Sequence, residues 1–393
     1  MEKKKITCGK SVEQQQAELE FYLPEECWEH VLTFLINSVK QFDITKPANP
    51  FHVFPFPTDS LDCKIKDNFE SLSLVSKHFL ALANRLIFSI RINHLHFCHL
   101  PLFFHRFSNL NSLHLSFDSS HDLDYAAIAL TLCDISTLKS LYIFWIDLND
   151  ANYITSHYID SFLSFNGLNS LKFESSQISY YLLSSIATEA LPFKNFVLQN
   201  CTGYSFQGIY SFLSKCSGIK HLGIQGDDFL TNHHVFRLFL LLPDLTSVNL
   251  SKCSKLRPSV LFALVKNCRS LGEITMRCIY MDDFESVENY DIFIDFDVNP
   301  QFKFLDLANN YFIDDETIIL FASVFPNLQL LDLSYCPNIF KKEKGVMSVI
   351  ENCTQLETID LSSCVKVNAD VVVSMLSSRR SFENYGGSFY FET

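Results

Sequence analysis

Leu328-Gln329-Leu330-Leu331-Asp332-Leu333-Ser334-Tyr335-Cys336 decides the fold. Its apolar anchors, Leu328, Leu331 and Leu333, have the spacing Leu-x-x-Leu-x-Leu. With conservative replacements that spacing recurs from Leu110, Leu138, Leu168, Phe193, Ile219, Leu245, Leu271, Phe302 and Leu356. Successive starts lie 25 to 31 residues apart. The last two anchors alternate with polar residues, the pattern of a short strand buried on one face. A second apolar stripe follows with a different period. Ile209/Phe212/Leu213/Cys216, Val235/Leu238/Phe239/Leu242, Leu261/Leu264/Val265/Cys268, Ile318/Phe321/Ala322/Phe325 and Val346/Val349/Ile350/Cys353 all fall at i, i+3, i+4, i+7. That is one face of a helix. Each unit is therefore a strand followed by a helix, and stacking the units joins their apolar sides into one core.

The period lies in the range of leucine-rich repeats. The expected fold is an α/β leucine-rich-repeat solenoid, a horseshoe of about ten repeats over residues 108–393. Cys201, Cys253, Cys336 and Cys364 stand three residues after the last strand anchor, and Asn310 takes that place in another repeat. Cys216, Cys268 and Cys353 close helices, three residues before the next repeat. This ladder resembles the cysteine-containing class of leucine-rich repeats. A metal or redox cluster needs convergence, which single thiols one coil apart do not provide.

Bulk properties exclude several functions. The net charge of −13 argues against nucleic acid and anionic membranes as partners. The thirteen cysteines include no Cys-x-x-Cys pair, so zinc ribbons are unsupported. Their odd number fits reduced thiols and a place in the cytoplasm or nucleus. No apolar stretch approaches the length of a membrane span. Residues 1–19 are polar and read as a flexible tail. Gly9-Lys10-Ser11 lacks the upstream glycine of a phosphate loop. No nucleophile elbow or His-Glu-x-x-His motif is present, and His233-His234, opening a repeat helix, reads as a surface pair. An enzyme, a cofactor and a metal site are not expected.

Before the repeats, Leu23-Pro24-Glu25-Glu26 opens a helix. Proline suits the first helical position and the glutamates suit the positive end of the dipole. Trp28, Val31, Leu32 and Leu35 then form one apolar stripe. Residues 42–68 carry Pro47, Pro50, Pro55 and Pro57 and cannot continue it. A second amphipathic run, Phe69 to Leu86, contains Leu72-Ser73-Leu74-Val75-Ser76-Lys77 and sets Val75, Phe79, Leu82 and Leu86 on one face. Together the two halves resemble an F-box over residues 20–92, with a proline-rich insertion at 42–68 longer than the family's usual connection and Phe79 where the family often has Trp. Residues 93–107 read as a connector.

An F-box followed by such repeats looks like an F-box/leucine-rich-repeat protein, a class abundant in plants. That resemblance implies a non-catalytic substrate adaptor of an SCF-type ubiquitin ligase. Leu23, Pro24, Trp28, Val31, Leu32, Leu74, Val75, Ser76 and Lys77 would dock on a Skp1-like subunit and, through it, a cullin. The repeats would hold a target protein for ubiquitination. Substrate contact is expected on the inner face, at the residue between the last two strand anchors and the one after them. Tyr142, Phe144 and Trp145 give an aromatic patch at one end. Asp306, Asp332 and Asp360 give an acidic ladder at the other, and Arg277 in the second column is a further candidate. The acidic run Met281 to Val298 reads as a solvated loop or an acidic lip. The rival reading is a leucine-rich-repeat scaffold with a helical N-terminal cap and no link to ubiquitin. A small-ligand receptor ranks lower, because the two columns carry only Lys172 and Arg277 as cations.

Overall fold

The computed structural model describes residues 77–117, 124–148, 152–165, 167–189, 191–257, 259–279, 297–339, 344–364 and 388–390. The chain divides into two compact units, Met1–Phe88 with Arg106–Asn109, and Ser89–His105 with Leu110–Thr393.

In the first unit the described helix is α1, Lys77–Leu86. It buries Leu82, as the amphipathic pattern predicts, and leaves Lys77 exposed. Asn109 Nδ2 donates to the Arg85 carbonyl near its C-terminus, and Arg106 Nε donates to Asn84 Oδ1.

The second unit is a single parallel sheet whose strand order equals the chain order. Its strands are β1 Ser89–Asn93, β2 Ser112–Ser116, β3 Ser140–Phe144, β4 Ser170–Glu174, β5 Asn195–Gln199, β6 His221–Gln225, β7 Ser247–Asn249, β8 Glu273–Thr275, β9 Phe304–Asp306, β10 Leu330–Asp332, β11 Thr358–Asp360 and β12 Ser388–Tyr390. The helices are α2 Leu100–Arg106, α3 Tyr125–Leu132, α4 Asn152–Ser164, α5 Tyr180–Glu189, α6 Phe206–Lys215, α7 Asn232–Phe239, α8 Ser259–Asn267, α9 Asp315–Val324 and α10 Lys344–Asn352. The strand anchors of β2 through β11 and the five helical stripes are buried, forming the continuous core expected from their two periods. Each fully buried Leu or Ile contributes about 1.5–3 kcal/mol. Asp124, Ser179, Ser205 and Asp314 cap α3, α5, α6 and α9 by accepting from the first-turn N–H groups. His234 is not a surface residue of the expected kind. It completes a capping box with Thr231 and stacks on Phe206.

The sheet extends one strand beyond the recognised repeats at each end. Ile90 and Ile92 of β1 pair with Leu113 and Leu115, and β12 pairs with β11. Residues 93–107, read as a connector, contain a 3-10 turn and α2, and most of them belong to the solenoid unit.

Two features repeat from coil to coil. Trp145, Ser175, Asn200, Gly226, Lys252, Cys278, Asn309, Tyr335 and Ser363 all have positive φ at the same place, two residues past the last strand anchor. Except in Gly226, that conformation costs about 1 kcal/mol. In eight of these coils the N–H donates to a carbonyl of the next coil: Trp145 to Glu174, Ser175 to Gln199, Asn200 to Gln225, Gly226 to Ser251, Lys252 to Arg277, Cys278 to Ala308, Asn309 to Ser334 and Tyr335 to Ser362, at 2.7–3.1 Å. One residue further on, side chains reach the carbonyl of the last anchor one coil back. Cys253, Cys336 and Cys364 donate to Ile224, Leu307 and Leu333 at 3.0–3.3 Å. Asn310 Nδ2 donates to Met276 and Leu307, while its Oδ1 accepts from Ile279 N–H. These cysteines are small donors to a carbonyl of the preceding coil, and none of the ten described cysteines forms a disulfide.

Asn310→Ala takes the donor from the Met276 carbonyl and the acceptor from the Ile279 N–H, and leaves the Leu307 carbonyl with the Cys336 thiol. A loss of about 3 kcal/mol in urea unfolding is expected. Asn310→Cys should lose less than half as much, since a thiol at this place serves three other coils. Equal losses would show that the side chain does not act through these bonds.

Candidate functional site

The strands alternate, so one set of side chains faces the core and the other stands on the opposite sheet face. Strand register aligns the opposite set into columns. The first runs Arg91, His114, Tyr142, Lys172, Val197, Gly223, Asn249, Thr275, Asp306, Asp332 and Asp360. The second runs Asn93, Ser116, Phe144, Glu174, Gln199 and Gln225. It continues past the shorter strands as Ser251, Arg277, Ala308, Ser334 and Ser362.

At the β1–β5 end the side chains form one network. Arg91 Nε donates to His114 Nδ1 at 2.9 Å. The His114 ring lies against Tyr142, with centroids 3.9 Å apart. Lys172 Nζ sits over the Tyr142 ring at 4.6 Å and pairs with Glu174 at 3.0 Å. The Tyr142 hydroxyl donates to Glu174 Oε2, and Gln199 Nε2 donates to Oε1 at 3.3 Å. Burial, Arg91 and Lys172 lower the His114 pKa to about 3. The ring is therefore neutral near pH 7 and its Nδ1 is an acceptor. Burial and the bond to Glu174 push the Tyr142 hydroxyl well above its usual range.

At the β8–β11 end Arg277 lies between two carboxylates. Its Nε donates to Asp306 Oδ2 at 2.6 Å and its Nη2 to Asp332 Oδ2 at 2.9 Å. The carboxylates also shape the backbone: Oδ1 of Asp306, Asp332 and Asp360 accepts from the N–H two residues on, and Asn249 does the same in β7. Burial and the neighbouring Asp332 raise the Asp306 pKa to about 6, against the pull of Arg277.

The expected substrate residues thus occupy two places. Tyr142 and Phe144 stand on the face, but Tyr142 is already engaged by Glu174. Trp145, 49% exposed, is the left-handed residue at the strand exit and meets Phe144 edge to face. Asp306, Asp332 and Asp360 do align. Asp306 is only 3% exposed, however, and with Asp332 it is neutralised in part by Arg277. The bare acidic ladder read from the sequence is therefore corrected to a bridged one. Arg91 was missed; continuing the spacing back to Ile87, Ile90 and Ile92 reveals it. Of the nine expected docking residues, Lys77 is described and the other eight lie outside the described residues, as do most of the run Met281 to Val298 and the insertion at 42–68.

The buried cysteines have the wrong chemistry for nucleophiles. Burial pushes the thiols of Cys253 and Cys336 up to about 12, and those of Cys201, Cys216, Cys268 and Cys364 up to about 11. Among the described residues no three His, Cys, Asp or Glu are grouped to hold a metal ion, and no helix is long and apolar enough to cross a membrane.

No family model matches the chain. It is similar to an F-box protein. That relative, F-box protein FBW2 of Arabidopsis thaliana, is 28% identical over 170 residues. The match takes in 43% of this chain and 44% of that protein, so the chain spans less than half of this relative. Among solved structures, it is similar to the crystal structure of the Rad7 and Elc1 complex in yeast, with a TM-score of 0.45 and 13% identity, covering 94% of this chain and 91% of that one. It is also similar to the TLR13–ssRNA13 complex, with a TM-score of 0.37 and 13% identity, covering 73% of this chain and 41% of that one.

Asp306 has a clear pH consequence. Its carboxyl holds a proton more tightly folded than unfolded, so its contribution to stability falls as pH rises from about 4 to about 6. Arg277→Gln should destabilise the chain by about 3 kcal/mol at pH 7.5, where the buried Asp306 and the partly buried Asp332 lose their partner. At pH 5, with Asp306 protonated, urea unfolding should show a smaller loss. A loss independent of pH would remove the bridge from the account.

Proposed function

We propose that the chain is the substrate-recognition adaptor of an SCF-type E3 ubiquitin ligase. The observation that carries this is the conjunction of two halves in one chain. Leu23-Pro24 and Leu74 to Lys77 form an F-box pattern, and the chain is similar in sequence to an F-box protein. Behind that pattern stands an all-parallel repeat sheet with a polar, aromatic face.

On this reading Leu23, Pro24, Trp28, Val31, Leu32, Leu74, Val75, Ser76 and Lys77 dock on a Skp1-like subunit, which connects to a cullin. Apolar side chains with a polar rim suit such an interface. The sheet face holds the substrate protein. The ladder of buried thiols fits the cysteine-containing class of repeats. The chain makes and breaks no bond itself. It raises the local concentration of substrate beside the ubiquitin carrier and fixes the approach. A location in cytoplasm or nucleus follows from the same proposal.

The test is retention of a Skp1-like protein by the full chain in a pull-down. Wild type should retain it, and Pro24→Ala combined with Val75→Asp should weaken retention more than tenfold while leaving the repeat unit's circular dichroism unchanged. No retention by wild type, or equal retention by the double variant, would reject the ligase role and leave the scaffold reading.

A further inference from the structure

Between its two ends the sheet face is neutral. In β5, β6 and β7 the outward residues are Asn195, Val197, Gln199, His221, Gly223, Gln225, Ser247 and Asn249. The ends differ in sign. Arg91 and Lys172 against Glu174 leave one positive charge over β1–β4. Glu273, Asp306, Asp332 and Asp360 against Arg277 and Lys303 leave two negative charges over β8–β11. The floor between them is low: Gly223 has no side chain, and Asn249 and Thr275 are at least nine-tenths buried.

Polar atoms on this floor are also left over. Asn195 Oδ1, Gln199 Oε1 and Thr275 Oγ1 are buried with no hydrogen-bond partner in the protein. Thr275 is 5% exposed and stands opposite Ile274, which points into the core. A buried polar atom without a partner costs about 1–3 kcal/mol, so these three, two on β5 and one on β8, call for a ligand that supplies donors and acceptors along its length. An extended peptide backbone does so at regular intervals.

We propose that this face receives an extended peptide segment of the substrate, lying across the strands, with a carboxylate at its end over β1–β4 and a basic side chain at its end over β8–β11. From Lys172 on β4 to Asp306 on β9 there are five strand steps. At about 4.8 Å each they span about 24 Å, or about seven extended residues. At the positive end Arg91 and Lys172 meet the carboxylate beside Trp145. At the negative end Asp332 and Asp360 meet the cation, and Arg277 keeps Asp306 and Asp332 from repelling each other. The sign of the ends sets the peptide's orientation. The floor contributes affinity through backbone bonds and so tolerates varied small residues. The proposal presupposes that this face is the docking surface, and it is independent of the ligase partner.

The probe is a fluorescent nine-residue peptide with Glu first, Arg last and seven Ser, Ala and Thr residues between, with a benzophenone at either end. Three controls accompany it: its reversed sequence, an all-neutral version and a version with Glu at both ends. Anisotropy with the full chain should show saturable binding of the probe. Mass spectrometry should find crosslinks from the Glu end in residues 89–117 or 140–174 and from the Arg end in residues 304–334 or 358–364. The reversed peptide should crosslink according to charge, not chain direction. Thr275→Val should fold with unchanged or higher stability and bind about tenfold more weakly. Absence of saturable binding, equal binding of the neutral peptide, crosslinks that ignore charge, or full affinity in Thr275→Val would each overturn the proposal. Retention of a Skp1-like protein is scored separately, so failure here leaves the adaptor role standing.

Discussion

The solenoid depends on a backbone hydrogen bond made just past each strand from β3 to β10. There the chain turns through a left-handed residue, and its N–H continues the ladder into the next coil. Only Gly226 accepts this conformation freely; a Cβ at that position would meet the Asn200 side chain. Elsewhere Trp, Tyr, Lys, Asn, Ser and Cys tolerate it, because an interstrand bond and the buried leucine ladder offset a cost of about 1 kcal/mol. The turn also fixes what the molecule displays. Trp145 and Tyr335 are exposed at the strand exits because they occupy this position, and the columns beside them stay in register because the turn repeats.

The repeated core was readable because its two periods, alternation in the strand and i, i+3, i+4, i+7 in the helix, are set by burial alone. The terminal strands were harder. β1 carries the pattern on Ile87, Ile90 and Ile92 only 23 residues before Leu110, outside the spacing of the other coils. β12 replaces the first anchor with Gly386. The columns of the face were correct in register, yet the partnerships within them were not visible. Arg277 and Asp332 are 55 residues apart in sequence; nothing in either local stretch announces the bridge. The thiols show the same limit. Their regular spacing was plain, but their donation to the preceding coil's carbonyls needed the stacked structure.

The described side chains are held rigidly, and several reactive ones are held inert. The thiols are held protonated by burial, His114 is held neutral, and Tyr142 is tied to Glu174. What remains is a fixed array of charge and hydrogen-bonding atoms, positive at the first strands, neutral in the middle and negative toward the last. Such an array suits recognition of one protein segment by many weak contacts held in place. On the proposed reading, the F-box pattern in the same chain gives that recognition a destination.

Hydrogen exchange at residue resolution tests the ladder most directly. The amides of Ser175, Asn200, Lys252, Asn309 and Tyr335 stand in turns, and turn amides ordinarily exchange fast. The account predicts protection equal to that of Leu198, Leu250 and Leu333, with loss of protection spreading from coil to coil as urea is raised. Rapid exchange at these five amides while the strands stay protected would contradict it.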